Sequence, residues 1–135
     1  MPKIPACALL ILLLCGTGGA RAEWTRLGAS ASASDAYVLY IDRSTLRREG
    51  DRVRLWDLQD FKQTQTIGER SYRSEKTELE FDCKARRTRV LSIIDFFGGM
   101  ATGDIVYSDG DPSDWVAVAP GTLGELEWKA ACGAK

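Results

Sequence analysis

Hydrophobic and polar residues alternate with a period of two along most of this chain. The cleanest case is residues 76–83 (KTELEFDC): Thr77, Leu79, Phe81 and Cys83 fall on one side, Lys76, Glu78, Glu80 and Asp82 on the other. Strict alternation predicts a strand with one packed face and one wet face. Residues 37–41 (YVLYI), aromatic and β-branched, predict a buried strand. Residues 84–87 turn the chain, residues 88–97 (TRVLSIIDFF) return it, and Gly98-Gly99 ends the run. Residues 52–58 (RVRLWDL) begin in alternation, Val53 and Leu55 against Arg52 and Arg54, then slip phase at Trp56 and Leu58. A β-bulge near Leu55-Trp56 accounts for the slip. A turn at residues 48–51 precedes it. Shorter strands are expected at 23–27, 104–108 and 115–118, and residues 28–35 (GASASASD) read as a small polar loop.

The period changes near the end. Thr122 and Glu125 fit a capping box, with Pro120-Gly121 stopping whatever comes before. Leu123, Leu126 and Ala130 share a helical stripe, so a helix of about ten residues is expected, ending near Cys132. Trp128 and Cys132 lie on nearly the opposite stripe. Either the helix is covered on two sides or Cys132 sits just past its end. The sum is an α+β fold: a mainly antiparallel β-sheet of about six strands with a C-terminal helix docked on it.

The other end of the chain reads as a targeting signal. Lys3 supplies a positive start, residues 4–15 (IPACALLILLLC) an apolar stretch, and Ala20-Arg21-Ala22 a cleavage site. The stretch is shorter than the roughly 20 residues that span a bilayer. Residues 1–22 are therefore assigned as a signal peptide and 23–135 as one domain, exported to the periplasm or the outer cell surface. A lipid anchor at Cys15 is disfavoured, because Leu14 is not the small residue such a site wants. Losing Lys3 and Arg21 leaves sixteen basic and nineteen acidic residues, a net charge of −3. That balance gives no reason to expect nucleic acid or an anionic membrane as partner. Cys83 and Cys132 then remain as an even pair in an oxidising compartment. Bridging them would close a long loop and tie the helix to the strand of Cys83. The stabilisation expected from chain entropy is roughly 4 kcal/mol.

The chain contains no histidine, which removes the commonest general base and metal ligand. With both cysteines bridged no thiolate remains, so neither metal nor cofactor is expected, and only carboxylates could do chemistry. Asp57 and Asp60 read as solvent-facing residues at a strand end, and Asp95 as the buried partner of an arginine or, less plainly, a functional acid. Asp109, Asp111 and Asp114 crowd one segment but lack EF-hand order, so a polar loop is the plainer reading than a calcium site. Two basic groups stand out: Arg43, Arg47, Arg48, Arg52 and Arg54, then Lys84, Arg86, Arg87 and Arg89. Cross-strand ion pairs with Glu78, Glu80 and Asp82 explain the second group, and a docking patch for an acidic partner is the sharper alternative. Trp24, Trp56, Trp115 and Trp128 read as core anchors or as interface residues.

Taken in order, several segments resemble the surface-adhesin protein E-like family of exported Gram-negative bacterial proteins. They are Tyr40-Ile41-Asp42 with Ser44-Thr45-Leu46, Val53-Arg54-Leu55-Trp56, Tyr72-Arg73-Ser74 with Lys76, and Glu80-Phe81-Asp82-Cys83. Arg89-Val90-Leu91, Gly103-Asp104-Ile105-Val106, Trp115 with Val118-Ala119-Pro120-Gly121, and the closing Ala131-Cys132 complete the series. The resemblance spans nearly all of the exported part. It implies an antiparallel sheet with a C-terminal helix held by the Cys83–Cys132 disulfide. It also implies adhesion, without catalysis, to host matrix or serum glycoproteins. A periplasmic binding or inhibitory module acting on an envelope partner or a hydrolase is the alternative. No short motif holds the family's binding site, so the disulfide cysteines are the only residues carried over.

Overall fold

The computed structural model describes residues 22–133; the signal-peptide assignment, with Cys15, lies outside them. Six strands run in sequence order as an antiparallel meander: β1 (Trp24–Ser30), β2 (Tyr37–Glu49), β3 (Arg52–Ile67), β4 (Arg70–Asp82), β5 (Arg87–Phe96) and β6 (Ile105–Asp109). A two-residue strand, β7 (Val116–Ala117), pairs with Arg87 and Thr88 of β5, on the part of that edge which β6 leaves free. One helix, α1 (Leu123–Cys132), closes the described chain. The α+β expectation therefore holds.

Strand ends follow from turn chemistry. Gly50, at φ +61°, sits in the β2–β3 turn, where a side chain would be strained. The helix starts where the capping box places it: Thr122 Oγ1 accepts from the Glu125 amide at 3.2 Å.

The core lies between α1 and one face of the sheet. Ile41, Val53, Leu55, Leu79, Phe81 and Ala131 form it, with Leu27, Val90, Trp128 and Cys132 packed around them. Side chains such as Phe81 and Leu55, essentially removed from water, contribute on the order of 1.5–3 kcal/mol each. The helix approaches β1 closely at Gly28, where a Cβ would lie 2.8 Å from Leu123 Cδ2. Cys83, just past β4, bonds to Cys132 in the last turn of α1, and Arg48 donates to the Cys132 carbonyl at 3.1 Å.

Three local expectations need correction. β3 keeps unbroken register with β4 from Arg52 to Asp60, so the chain has no bulge at Leu55-Trp56. The irregularity is on β2, between Asp42 and Arg47. There Asp42 accepts from the Ser44 amide and hydroxyl, while Thr45 Oγ1 accepts from the Trp56 amide and donates to the Asp42 carbonyl. Trp56 and Leu58 are apolar because the far face is itself partly covered. The loop after β5 folds over it, with Ala101 N donating to Ser74 Oγ and Met100 N to Asp60. On α1 the buried stripe is Glu127 and Ala131, and Leu126 is exposed. Cys132 is the last helical residue, neither beyond the end nor on a second covered side. Finally, residues 28–30 belong to β1 rather than to a loop.

Cys132→Ser should lower the thermal midpoint by roughly 15 °C or more, because a cross-link closing a 49-residue separation is worth about 4 kcal/mol. Calorimetry of the variant beside reduced wild type tests this, and the two should agree.

Candidate functional site

Odd positions of β3 and β4 face α1, so even positions face away from it. This open face has no second layer. Its rungs are read directly from register: Arg52–Asp82–Arg87, Arg54–Glu80–Arg89, and Trp24–Asp42–Trp56–Glu78. Glu80 stands at the centre, only 4% exposed. Arg89 reaches its carboxylate at 2.8 and 3.0 Å, Arg54 at 3.4 Å and Arg52 at 3.6 Å. A buried carboxylate needs such partners, and the arginine stems that cover it leave their guanidinium heads partly in water.

The tryptophans continue the pattern. Trp115 lies under the guanidinium groups of Arg52, Arg87 and Arg89, at 5.1, 4.6 and 4.6 Å. Lys76 sits over Trp56 and Trp24 at 4.8 and 5.7 Å, and Arg86 over Trp128 at 4.4 Å. Trp24, Trp56 and Trp115 are half-buried beneath cations, while Trp128, also half-buried under Arg86, packs against the core. Two shallow grooves run along the face, of about 950 and 660 Å³, sharing Arg47, Arg54 and Glu78. The expected cross-strand pairs form for Arg87 with Asp82 and Arg89 with Glu80. Arg86 instead bonds Glu125 of α1 at 3.0 Å.

The carboxylate candidates divide. Asp60 holds the loop amide of Met100. Asp57 is no solvent-face residue: it is 2% exposed, under α1. Asp95, equally buried, stands directly opposite Glu75 on β4. The Asp57 carboxyl hydrogen-bonds that of Glu127 from α1, and Glu75 that of Asp95. Thr77 touches both Asp57 and Glu75, and Tyr37 faces the group from β2. Among these groups Arg70 is the cation that acts on Asp95. Burial, then the Glu127 carboxylate, pushes Asp57 well above the ordinary range. Burial, then the hydrogen bond to Asp95, pushes Glu75 up to about 7. Burial also raises Asp95 and Glu127, each of which accepts from its partner. In each pair one carboxyl keeps its proton and gives it to the other. Such contact leaves no space between the two carboxyls for the glycosidic bond of a hydrolase. The sequence pointed to Asp57 and Asp95 but missed Glu75 and Glu127, which look solvent-facing by pattern. At residues 109–114 the Asp109 carboxylate closes a turn on the Asp111 amide at 2.9 Å.

Two outcomes follow. Acids raised in the folded state bind protons more tightly folded than unfolded, so stability is full below the unfolded pKa and falls as pH rises. For Glu75 the window runs from 4.5 to about 7. The thermal midpoint should therefore drop by several degrees between pH 5 and pH 7.5, and Glu75→Gln should flatten that slope. On the open face, Glu80→Ala leaves Arg52, Arg54 and Arg89 without their shared carboxylate and should cost about 2 kcal/mol in urea unfolding. The figure is below that for breaking a fully buried pair because the arginine heads rehydrate.

Among the described residues no helix is long and apolar enough to cross a membrane. In structure the chain is similar to Haemophilus influenzae protein E. Crystal form II of that protein aligns with a TM-score of 0.64 at 12% identity, covering 84% of this chain and 90% of the other. Protein E from non-typeable Haemophilus influenzae aligns with a TM-score of 0.60 at 12% identity, covering 86% and 79%. At these identities the likeness speaks for the fold. No curated protein matches the chain by sequence. The sequence model of the surface-adhesin protein E family matches residues 24–133, from the first strand through the residue after the disulfide-bonded helix. The chain belongs to the surface-adhesin protein E family and is a non-enzymatic adhesin.

Proposed function

We propose that residues 1–22 export the chain and that residues 23–135 work at the outer cell surface. There the open face of the sheet binds a host matrix or serum glycoprotein. The observation that carries this reading is the unlayered face on which half-exposed arginines stack over half-buried tryptophans around Glu80. Trp and Arg dominate the binding energy of protein interfaces, and their rings and stems are already ordered here, which lowers the entropy lost on docking. Guanidinium groups turned to water suit a partner segment rich in carboxylates, which they grip in bidentate geometry.

Arg47 and Lys76 make no ion pair with Glu80, so they can be altered while the buried cluster is kept. The double variant Arg47→Glu with Lys76→Glu should weaken binding to immobilised matrix and serum glycoproteins at least tenfold, mostly through slower association at low salt. Far-UV circular dichroism should be unchanged. Binding equal to wild type would move the site to another face. Protease shaving of intact cells should digest the domain while periplasmic controls survive, and the intact mass should begin at Glu23 without lipid.

A further inference from the structure

The two grooves of the open face share Arg47, Arg54 and Glu78, so they join into one trough over β2, β3 and β4. Charge in the trough is sorted by depth. Asp42 and Glu80 lie at its floor, 3% and 4% exposed, and both are engaged. Ser44 donates to Asp42, and Arg52, Arg54 and Arg89 surround Glu80. Three guanidinium groups answer that one carboxyl, so cations outnumber the acid there. The Arg52 and Arg54 side chains are still 49% and 54% exposed, and Arg47 and Lys84 line the trough in the open. Several of these cations are held in place by aromatic faces: Arg52 and Arg89 by Trp115, Lys76 by Trp56.

The lining narrows the chemistry of the ligand. Apart from Trp56, Ala22 and Ala85 every lining residue is polar or charged. A polypeptide partner anchors itself by apolar and aromatic side chains seated in pockets, and the trough provides none. Nor is it uniformly basic, since Glu49, Asp51 and Glu78 stand among the cations. A peptide carrying only carboxylates would be repelled by those three acids. A chain that alternates anionic groups with hydroxyls suits both kinds of residue. Its sulfate and carboxylate oxygens accept from guanidinium forks, and its hydroxyls donate to the free acids. The grooves, about 950 and 660 Å³, are each large enough for a drug-sized ligand, so the joined trough has room for several sugar rings. Resting on the open face as the binding surface, we propose that its ligand is a sulfated polysaccharide bearing uronic-acid carboxylates. The anionic groups lie on Arg47, Arg52, Arg54 and Lys84, and sugar hydroxyls on Glu49 and Glu78.

The test is calorimetric titration of the disulfide-bonded exported chain with a heparin decasaccharide at physiological salt. Saturable binding is expected. A desulfated decasaccharide that keeps its carboxylates, and a polyglutamate of equal charge, should each bind roughly tenfold more weakly. Arg47→Gln with Lys84→Gln should weaken decasaccharide binding roughly fivefold with an unchanged far-UV spectrum. Should that double variant fail to fold, Lys76→Gln alone should show a several-fold loss. Lys129→Gln, exposed on α1 and away from the open face, should bind as wild type does. Polyglutamate binding as tightly as the decasaccharide would overturn the proposal in favour of an acidic protein segment. Indifference to sulfation, or trough variants that bind like wild type, would also overturn it. Capture of matrix or serum glycoproteins by a chain that ignores the decasaccharide would overturn the polysaccharide and leave the adhesin reading standing. Decasaccharide binding without any such capture would uphold the polysaccharide site and count against the glycoprotein reading instead.

Discussion

One ten-residue helix, pinned by a disulfide, has to cover a sheet much broader than itself. The rest of the structure answers that mismatch. The helix meets β1 through β4, and Gly28 and Ala131 let it come close. Leu55, Phe81 and Ile41 are thereby sealed on one face. A helix this short would be marginal alone, so its order comes from packing and from the cross-link at its last turn. Arg48, bonding the terminal carbonyl of Cys132, adds a cation where the helix dipole is negative. Everything the helix does not reach must be satisfied by other means.

On the open face those means are electrostatic and aromatic. A strand face without a partner layer cannot be built from leucine and valine without inviting aggregation. Here β3, β4 and β5 present charge in register, so that Glu80 is flanked by Arg54 and Arg89 on its own rung. Trp115, delivered from the segment before β7, supplies a surface on which the arginine heads lie. Each cation–π contact at such partly exposed positions is worth only about 0.5–1 kcal/mol. Their shared geometry fixes long side chains that would otherwise move freely. Where charge runs out, toward Leu58 and Ser74, the loop after β5 takes over, and it accepts positive φ at Met100 and Ala101 to do so.

What the sequence made legible was whatever depends on neighbours along the chain. Residues 76–83 announced both faces of β4, and Thr122 with Glu125 announced the helix start, because alternation and capping are local rules. The cysteine pair was legible because two remained. What stayed hidden depends on partners distant in sequence. Residues 62–72 are polar on both sides and gave no strand signal, yet β3 and β4 continue through them as a long hairpin. Leu126 outranks Glu127 on any hydrophobic stripe, but Glu127 is the one buried, because it meets Asp57 across the helix–sheet seam. The same distance hid the acid cluster: Glu75 looks like a wet-face residue until Asp95 is seen opposite it.

The two faces thus carry opposite electrostatic problems with different solutions. On the open face an acid is buried and guanidinium groups gather around it. Under the helix acids are buried in hydrogen-bonded pairs, with Arg70 acting on Asp95, so charge is removed by shared protons. A partner on the open face would supply the second layer that the fold omits. It would find arginines and tryptophans whose positions Glu80 and Trp115 already hold. The ordering that keeps an uncovered sheet face stable is thus the same ordering that makes the face ready to bind.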